Sequence, residues 1–131
     1  MKKILIADDK ATSRELLRTV LERQGYAITE AADGEEALQK ALAEPPDLIL
    51  LDLQMPRRSG YEVLRELRKD PRHAEVPIIA ITASAMQGDR EKALAAGFTG
   101  YMAKPVALVH LREEVQRLLL LKDMETAGEN G

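Results

Sequence analysis

Residues 47–60 read DLILLDLQMPRRSG. Leu48, Ile49, Leu50 and Leu51 form an unbroken apolar run between Pro46 and the Met55-Pro56 pair. The run is too short for an independent helix and predicts a strand apolar on both faces. Asp52 then falls where a buried strand ends. A carboxylate is seldom buried without a partner, because stripping its water uncompensated is costly. Two readings fit the residue by itself: a nucleophile facing a metal ion, or an Asp that ends a strand and opens a turn.

Outward from this stretch, strand-like and helix-like segments alternate with little between them, which predicts an α/β domain with a parallel sheet. On the N-terminal side, Ile4 to Ala7 is a short apolar run ending on Asp8-Asp9. Thr12 with Glu15 then suggests a capping box, and Leu16, Leu17, Val20 and Leu21 recur at helical spacing until Gly25. Tyr26 to Ala31 is a more polar strand, containing Thr29 and Glu30, as expected at a sheet edge. Asp33 caps the next helix, with Glu36 at the capping-box position, a stripe of Ala37, Leu38, Ala41 and Leu42, and a stop at Glu44-Pro45-Pro46.

On the C-terminal side, the loop from Leu53 to Arg58 leads through Ser59-Gly60 into a helix carrying Val63, Leu64 and Leu67, closed by Asp70-Pro71. Val76 to Ile81 is a fourth apolar strand ending on Thr82, with Pro77 at its start where a missing donor is tolerable. A helix over roughly Gly88 to Ala96 follows, with Gly97 as its C′ residue. Thr99 to Ala103 makes a short fifth strand before Lys104-Pro105. Leu108, Leu111, Val115 and Leu118 mark a last helix to Leu121. Residues 1–121 therefore read as one domain, and 122–131 as a polar, frayed tail.

The bulk composition narrows the function. Hydrophobic residues make up 45% and charged residues 31%, and no apolar run approaches a membrane span, so a soluble globular domain without membrane association is expected. Asp8 and Asp9 interrupt the first apolar run too early for a secretory signal. With no cysteine, disulfides and thiolate metal sites are excluded, and a cytoplasmic location is the simplest expectation. A net charge of −3 with intermixed signs, and only three tyrosines and one phenylalanine, give no footprint for direct nucleic-acid binding.

In a parallel sheet the C-terminal ends of all strands share one edge, where ligands bind at the topological switch point. Four strand ends carry reactive groups: Asp8 and Asp9, Asp52, Thr82, and Lys104. Any one Asp is well explained as a turn former; the set together is not. Crowded carboxylates raise one another's pKa unless a cation joins them. All-oxygen ligands suit Mg²⁺, with Mn²⁺ able to substitute. Such a site can transfer a phosphoryl group to Asp52, with Lys104 holding one phosphoryl oxygen and Thr82 donating to another. Tyr101, on the strand next to that of Thr82, is the candidate second half of a switch; an ordinary edge-strand aromatic is the alternative.

IADD near the start, LLDLQMPRRSG, ITASAM and YMAKP together resemble the receiver domains of bacterial two-component response regulators, over Lys2 to about Leu121. TASAMQGD and KPVALVHL look most like small stand-alone receivers of the DivK or CheY kind and receivers of hybrid histidine kinases. The resemblance implies a flavodoxin-like, doubly wound five-stranded sheet of order 2-1-3-4-5 with helices on both faces. It implies that Asp52 is the phosphoacceptor, that Asp9 and Asp52 ligate Mg²⁺, that Asp8 acts through metal-bound water, and that the Gln54 backbone carbonyl completes the set. Thr82 matches the switch hydroxyl, Tyr101 the coupled aromatic and Lys104 the phosphate-binding lysine, with Pro105 after a cis peptide. The resemblance further implies that Gln54 and Ser84 flank the phosphate and tune its lifetime.

The implied function is phosphorelay signalling rather than enzymatic turnover. A histidine kinase or phosphotransfer protein donates to Asp52, and the surface of the fourth helix, fifth strand and fifth helix is remodelled for a downstream protein target. The receiver acts as a monomer or a phosphorylation-dependent dimer. Lys10 departs from the family pattern by placing a cation beside the acidic pair, where it would compete with Mg²⁺ unless it simply faces solvent. A phosphatase of the haloacid-dehalogenase type also uses a strand-end Asp, a Thr and a Lys, but needs a second Asp where this chain has Gln54. A flavodoxin-like cofactor binder would want a glycine- and hydroxyl-rich loop where this chain has Asp8-Asp9-Lys10. A receiver that has lost phosphorylation would show substitutions at the matched positions, and none is present.

Overall fold

The computed structural model describes the backbone of residues 1–130 and the side chains of residues 1–125. In chain order the elements are β1 (Lys3–Ala7), α1 (Ala11–Glu22), β2 (Ala27–Ala31), α2 (Gly34–Ala43), β3 (Leu48–Asp52) and α3 (Gly60–Lys69). A single 3₁₀ turn (Pro71–His73), β4 (Ile78–Thr82), α4 (Asp89–Ala96), β5 (Gly100–Ala103) and α5 (Leu108–Asn130) complete it. The five strands are all parallel, in the order β2-β1-β3-β4-β5. A helix separates every pair of consecutive strands, and parallel pairing needs such a crossover.

Side-chain alternation along the strands divides the core into two layers. Leu5, Ile49, Leu51, Ile78 and Ala80 pack with Leu38, Val63, Leu64, Leu67 and Ala93, on the face covered by α2, α3 and α4. Ile4, Ile6, Leu48, Leu50, Ile79 and Ile81 pack with Leu17, Leu21, Leu111, Val115 and Leu118, on the face covered by α1 and α5. Every residue of β3 and β4 is buried, which is why both read as unbroken apolar runs. Edge strand β2 is only partly buried, and its Glu30 is paired with Arg14 and Arg18 from α1.

Several expectations need correction. Helix α1 begins at Ala11 with Lys10 as N-cap, and the Thr12–Glu15 capping box does not form. The Lys10 amide instead donates to Asp8 Oδ1 at 2.9 Å, so the acidic pair itself turns the chain into the helix. Leu42, expected in the stripe of α2, is 37% exposed, and Leu16, which shares the helical spacing of Leu17 and Leu21, is 52% exposed, because α1 and α2 each face the sheet along a narrower line. At α2 the Glu36 amide donates to Asp33 as expected, while the Glu36 carboxylate accepts from Ala32, one residue before the cap. Helix α5 runs to Asn130, past the Leu121 expected as its end. Residues 122–125 are helix-compatible, and Lys2 ties Asp123 to the N-terminus at 2.6 Å.

Candidate functional site

One step past the strand ends, sheet-type hydrogen bonds continue and fix the reactive residues in register. The Asp8 amide donates to Ala31 O, the Leu53 amide to Ile81 O, and the Lys104 amide to Thr82 O. Three side chains then bend back in the same manner. Asp8 Oδ1 accepts from the Lys10 amide, Asp52 Oδ1 from the Gln54 amide and Thr82 Oγ1 from the Ser84 amide. Each bond occupies one side-chain lone pair with the turn's own backbone, the local geometry that Asx and hydroxyl turns share.

The free carboxylate oxygens face one another. Lys104 Nζ lies 2.7 Å from Asp8 Oδ2 and 3.0 Å from Asp52 Oδ2, bridging two groups that are 1% and 4% exposed. The contact to Asp8 is close but poorly aligned, so Asp8 Oδ2 has an ion-pair partner and no hydrogen-bond donor. Asp9 is exposed at the rim, and ligand atoms of Asp8, Asp9 and Asp52 all lie within 4.8 Å of one another. An all-carboxylate set of this spacing fits a hard divalent cation such as Mg²⁺ or Mn²⁺.

The electrostatics separate the two buried acids. Burial raises the Asp52 carboxyl, and the nearby Asp8 charge adds to this. The Gln54 amide and Lys104 oppose the rise without cancelling it. Burial also works against ionised Asp8, yet Lys104 and the Lys10 amide outweigh it and hold Asp8 below the usual carboxylate range. At Lys104 burial is outweighed by its two carboxylate partners, which raise it. Asp52 is therefore the reluctant anion of the pair, and the one whose ionised form gains most from an added cation.

The remaining residues occupy the rim. Ser84 Oγ reaches Gln54 Oε1 at 3.4 Å, and both border a hollow of about 260 Å³ with Leu53, Tyr61, Thr82, Asp89 and Lys92. The Lys104–Pro105 peptide is cis. Tyr101 pairs with Ala80, and Thr82 with Ala103, two pairs further on, so Tyr101 and Thr82 share one face of the sheet. The Tyr101 ring packs on the α3–α4 side, and its hydroxyl is buried without a hydrogen-bond partner among the described residues. Lys10 is exposed on the opposite flank, in a hollow with Ser13, Leu17, Lys104 and Pro105.

Gly60 is the residue whose importance the sequence reading passed over. A Cβ there would lie 2.6 Å from Asp52 O, so only glycine lets α3 start against the strand that carries the carboxylate. Its place directly after Ser59, the N-cap of α3, was the available signal.

This chain belongs to the response regulator receiver domain family of two-component signalling, whose model matches residues 4–116. Among curated relatives, the polar-differentiation response regulator DivK of Brucella anthropi is 36% identical over 90% of this chain and 96% of its own length. A probable transcriptional regulator, ycf27 of Porphyridium aerugineum, is 40% identical, and this chain spans about half of it, 52%. Among solved structures, a CheY-like receiver from Methanospirillum hungatei has a TM-score of 0.88 at 30% identity, covering 95% of this chain and 98% of that one. The receiver of a Pseudomonas aeruginosa sensor histidine kinase, solved with magnesium in its active-site cleft, has a TM-score of 0.83 at 38% identity, covering 90% and 97%. The phosphatase and flavodoxin-like readings are thereby set aside. No helix among the described residues is long and apolar enough to cross a membrane.

Proposed function

We propose that this receiver is a phosphoacceptor in a two-component relay, with Asp52 as the site of modification. An Asp52 oxygen attacks the phosphorus of a phosphohistidine on a histidine kinase or phosphotransfer protein. The P–O bond to Asp52 forms as the P–N bond breaks, the imidazole leaves, and it takes a proton from solvent. Lys104 then moves its ammonium from the carboxylates to a phosphoryl oxygen, and the Thr82 hydroxyl donates to another. Asp9 and Asp52, with the Gln54 carbonyl and Asp8 through water, would hold a Mg²⁺ or Mn²⁺ ion that relieves repulsion between an anionic nucleophile and an anionic donor. Hydrolysis of the acyl phosphate returns the starting state, so the chain catalyses only its own modification and its reversal.

The observation that carries this reading is the convergence of the Asp8, Asp9 and Asp52 carboxylates within 4.8 Å, with the Lys104 ammonium bridging Asp8 and Asp52. Contacts that exist only when phosphate is present can shift a conformational equilibrium. In this reading Thr82 and Tyr101 would convey such a shift to α4, β5 and α5 for a downstream protein in the cytoplasm. Incubation with Mg²⁺ and acetyl phosphate, followed by intact mass measurement, tests the assignment. A single phosphoryl adduct is expected on wild type and none on Asp52→Asn. An adduct that survives the substitution moves the nucleophile elsewhere, and no adduct on wild type overturns the reading.

A further inference from the structure

Away from the carboxylates, α3 and α4 border a groove of about 270 Å³ lined by Tyr61, Leu64, Arg65, Arg68, Lys69 and Ala96. Every charged side chain in that lining is a cation. Arg68 is half-buried and spends its guanidinium on neutral partners: the carbonyls of His73 (2.7 Å), Ala74 (3.4 Å), Val76 (2.8 Å) and Gly97 (2.9 Å). Burial lowers its pKa from the usual arginine value, with only a distant Glu75 opposing. Arg65 is exposed and has no hydrogen bond or ion pair among the described residues. Lys69 has a single exposed partner, Glu66 at 3.2 Å, a surface pair of the kind that is readily exchanged.

We propose that the α3–α4 groove is a docking site for an acidic segment of a partner protein, an apolar side chain seated between Tyr61 and Ala96 and its carboxylates on Arg65 and Lys69. Charge complementarity selects this occupant, since Arg65 is unpaired among the described residues and Lys69 is held only by the exposed Glu66, which leaves this rim open to an anionic ligand. The size agrees: 270 Å³ in an open groove falls below the roughly 300–1,000 Å³ of small-molecule sites and suits one side chain of a longer chain.

The groove also reaches the switch residues. Tyr61 lines both it and the hollow that holds Thr82, Gln54 and Ser84, and Lys92 sits 5.5 Å from the Tyr61 ring centroid in that same hollow. A segment pressed on Tyr61 therefore touches the surroundings of Thr82, and linkage makes the effect mutual: modification of Asp52 changes segment affinity by the factor by which the segment changes modification. That last step rests on the phosphoacceptor reading, whereas docking to the unmodified protein does not.

A fluorescein-labelled peptide of six glutamates around a central leucine, titrated with the unmodified chain at low salt and followed by anisotropy, tests the docking. Saturable binding is expected, weakened about tenfold or more in Arg65→Glu/Lys69→Glu and less than about twofold in Arg23→Glu/Arg112→Glu. The second pair makes the same charge change at exposed positions on α5 and the end of α1. Equal weakening in both pairs, or no saturable binding to wild type, overturns the proposal. Thermal melts of both variants verify that the comparison is between folded proteins.

Discussion

Asp8, Asp52 and Thr82 each give one oxygen to a backbone amide two residues on. That shared device orients the residues before any ligand arrives, since a carboxylate with one oxygen anchored has little rotamer freedom left for the other. Between Asp8 and Asp52 the only cation held among the described residues is Lys104, at 2.7 and 3.0 Å. It occupies by charge the role that a divalent ion would take, so metal and ammonium compete. Lys104→Ala is expected to tighten Mg²⁺ binding by roughly three- to tenfold, measured by calorimetry without phosphodonor. Unchanged affinity would mean the ammonium withdraws freely and does not compete. Lys10 is a weaker competitor, because its ammonium is exposed and screened. Lys10→Ala should tighten Mg²⁺ binding less than about twofold at low salt, an effect erased at about 1 M salt.

At the scale of elements, the junction of β3 with α3 leaves no room for a side chain. A Cβ on Gly60 would meet Asp52 O at 2.6 Å and Leu53 Cα at 2.8 Å, both backbone atoms that cannot swing aside. Gly60→Ala is expected to cost about 2 kcal/mol in denaturant unfolding and to slow phosphoryl uptake, because relief of the clash displaces the end of β3. A stability loss without any change in uptake would show that α3, rather than the strand, gives way. How much of this was legible beforehand depended on where side chains or backbone carried the information. Strands β3 and β4 were legible because burial on both faces writes itself as continuous apolar sequence, and β2 because its polarity marks an edge. The start of α1 was not, since Asp8 rather than Thr12 supplies the oxygen that turns the chain. Leu16 and Leu42 misled because spacing alone does not tell how wide a stripe the sheet covers. The site residues were legible as a set of strand ends, but the ammonium bridge and the buried, unpartnered Tyr101 hydroxyl are facts of packing.

For the molecule as a whole, two titratable sites at opposite ends of the sheet pull stability in different directions. Asp70 caps the 3₁₀ turn and is held down to about 2, first by the Arg72 side chain and then by the Arg72 amide. A carboxyl lowered on folding contributes stability above its ordinary pKa and loses it as pH falls through the folded value. Wild type should therefore exceed Asp70→Asn in melting temperature above about pH 4, with the gap closing toward pH 2; a gap independent of pH would assign it to the cap hydrogen bond alone. Asp52 works the other way, because burial and the Asp8 charge make its ionised form unfavourable in the folded protein. Asp52→Asn removes that cost and leaves Lys104 paired with Asp8, so in chelator the variant should be the more stable by about 1–2 kcal/mol, or roughly 3–6 °C for a domain of this size. Mg²⁺ reverses the order. An ion that binds only the folded state adds about 2.7 kcal/mol at a hundred times its dissociation constant, and wild type receives this in full while the variant has lost a ligand. Melting curves in chelator and in excess Mg²⁺ should thus cross over between the two proteins. Parallel shifts in both would place the ion away from Asp52, and a wild type that is the more stable even in chelator would show that Lys104 compensates the buried pair completely.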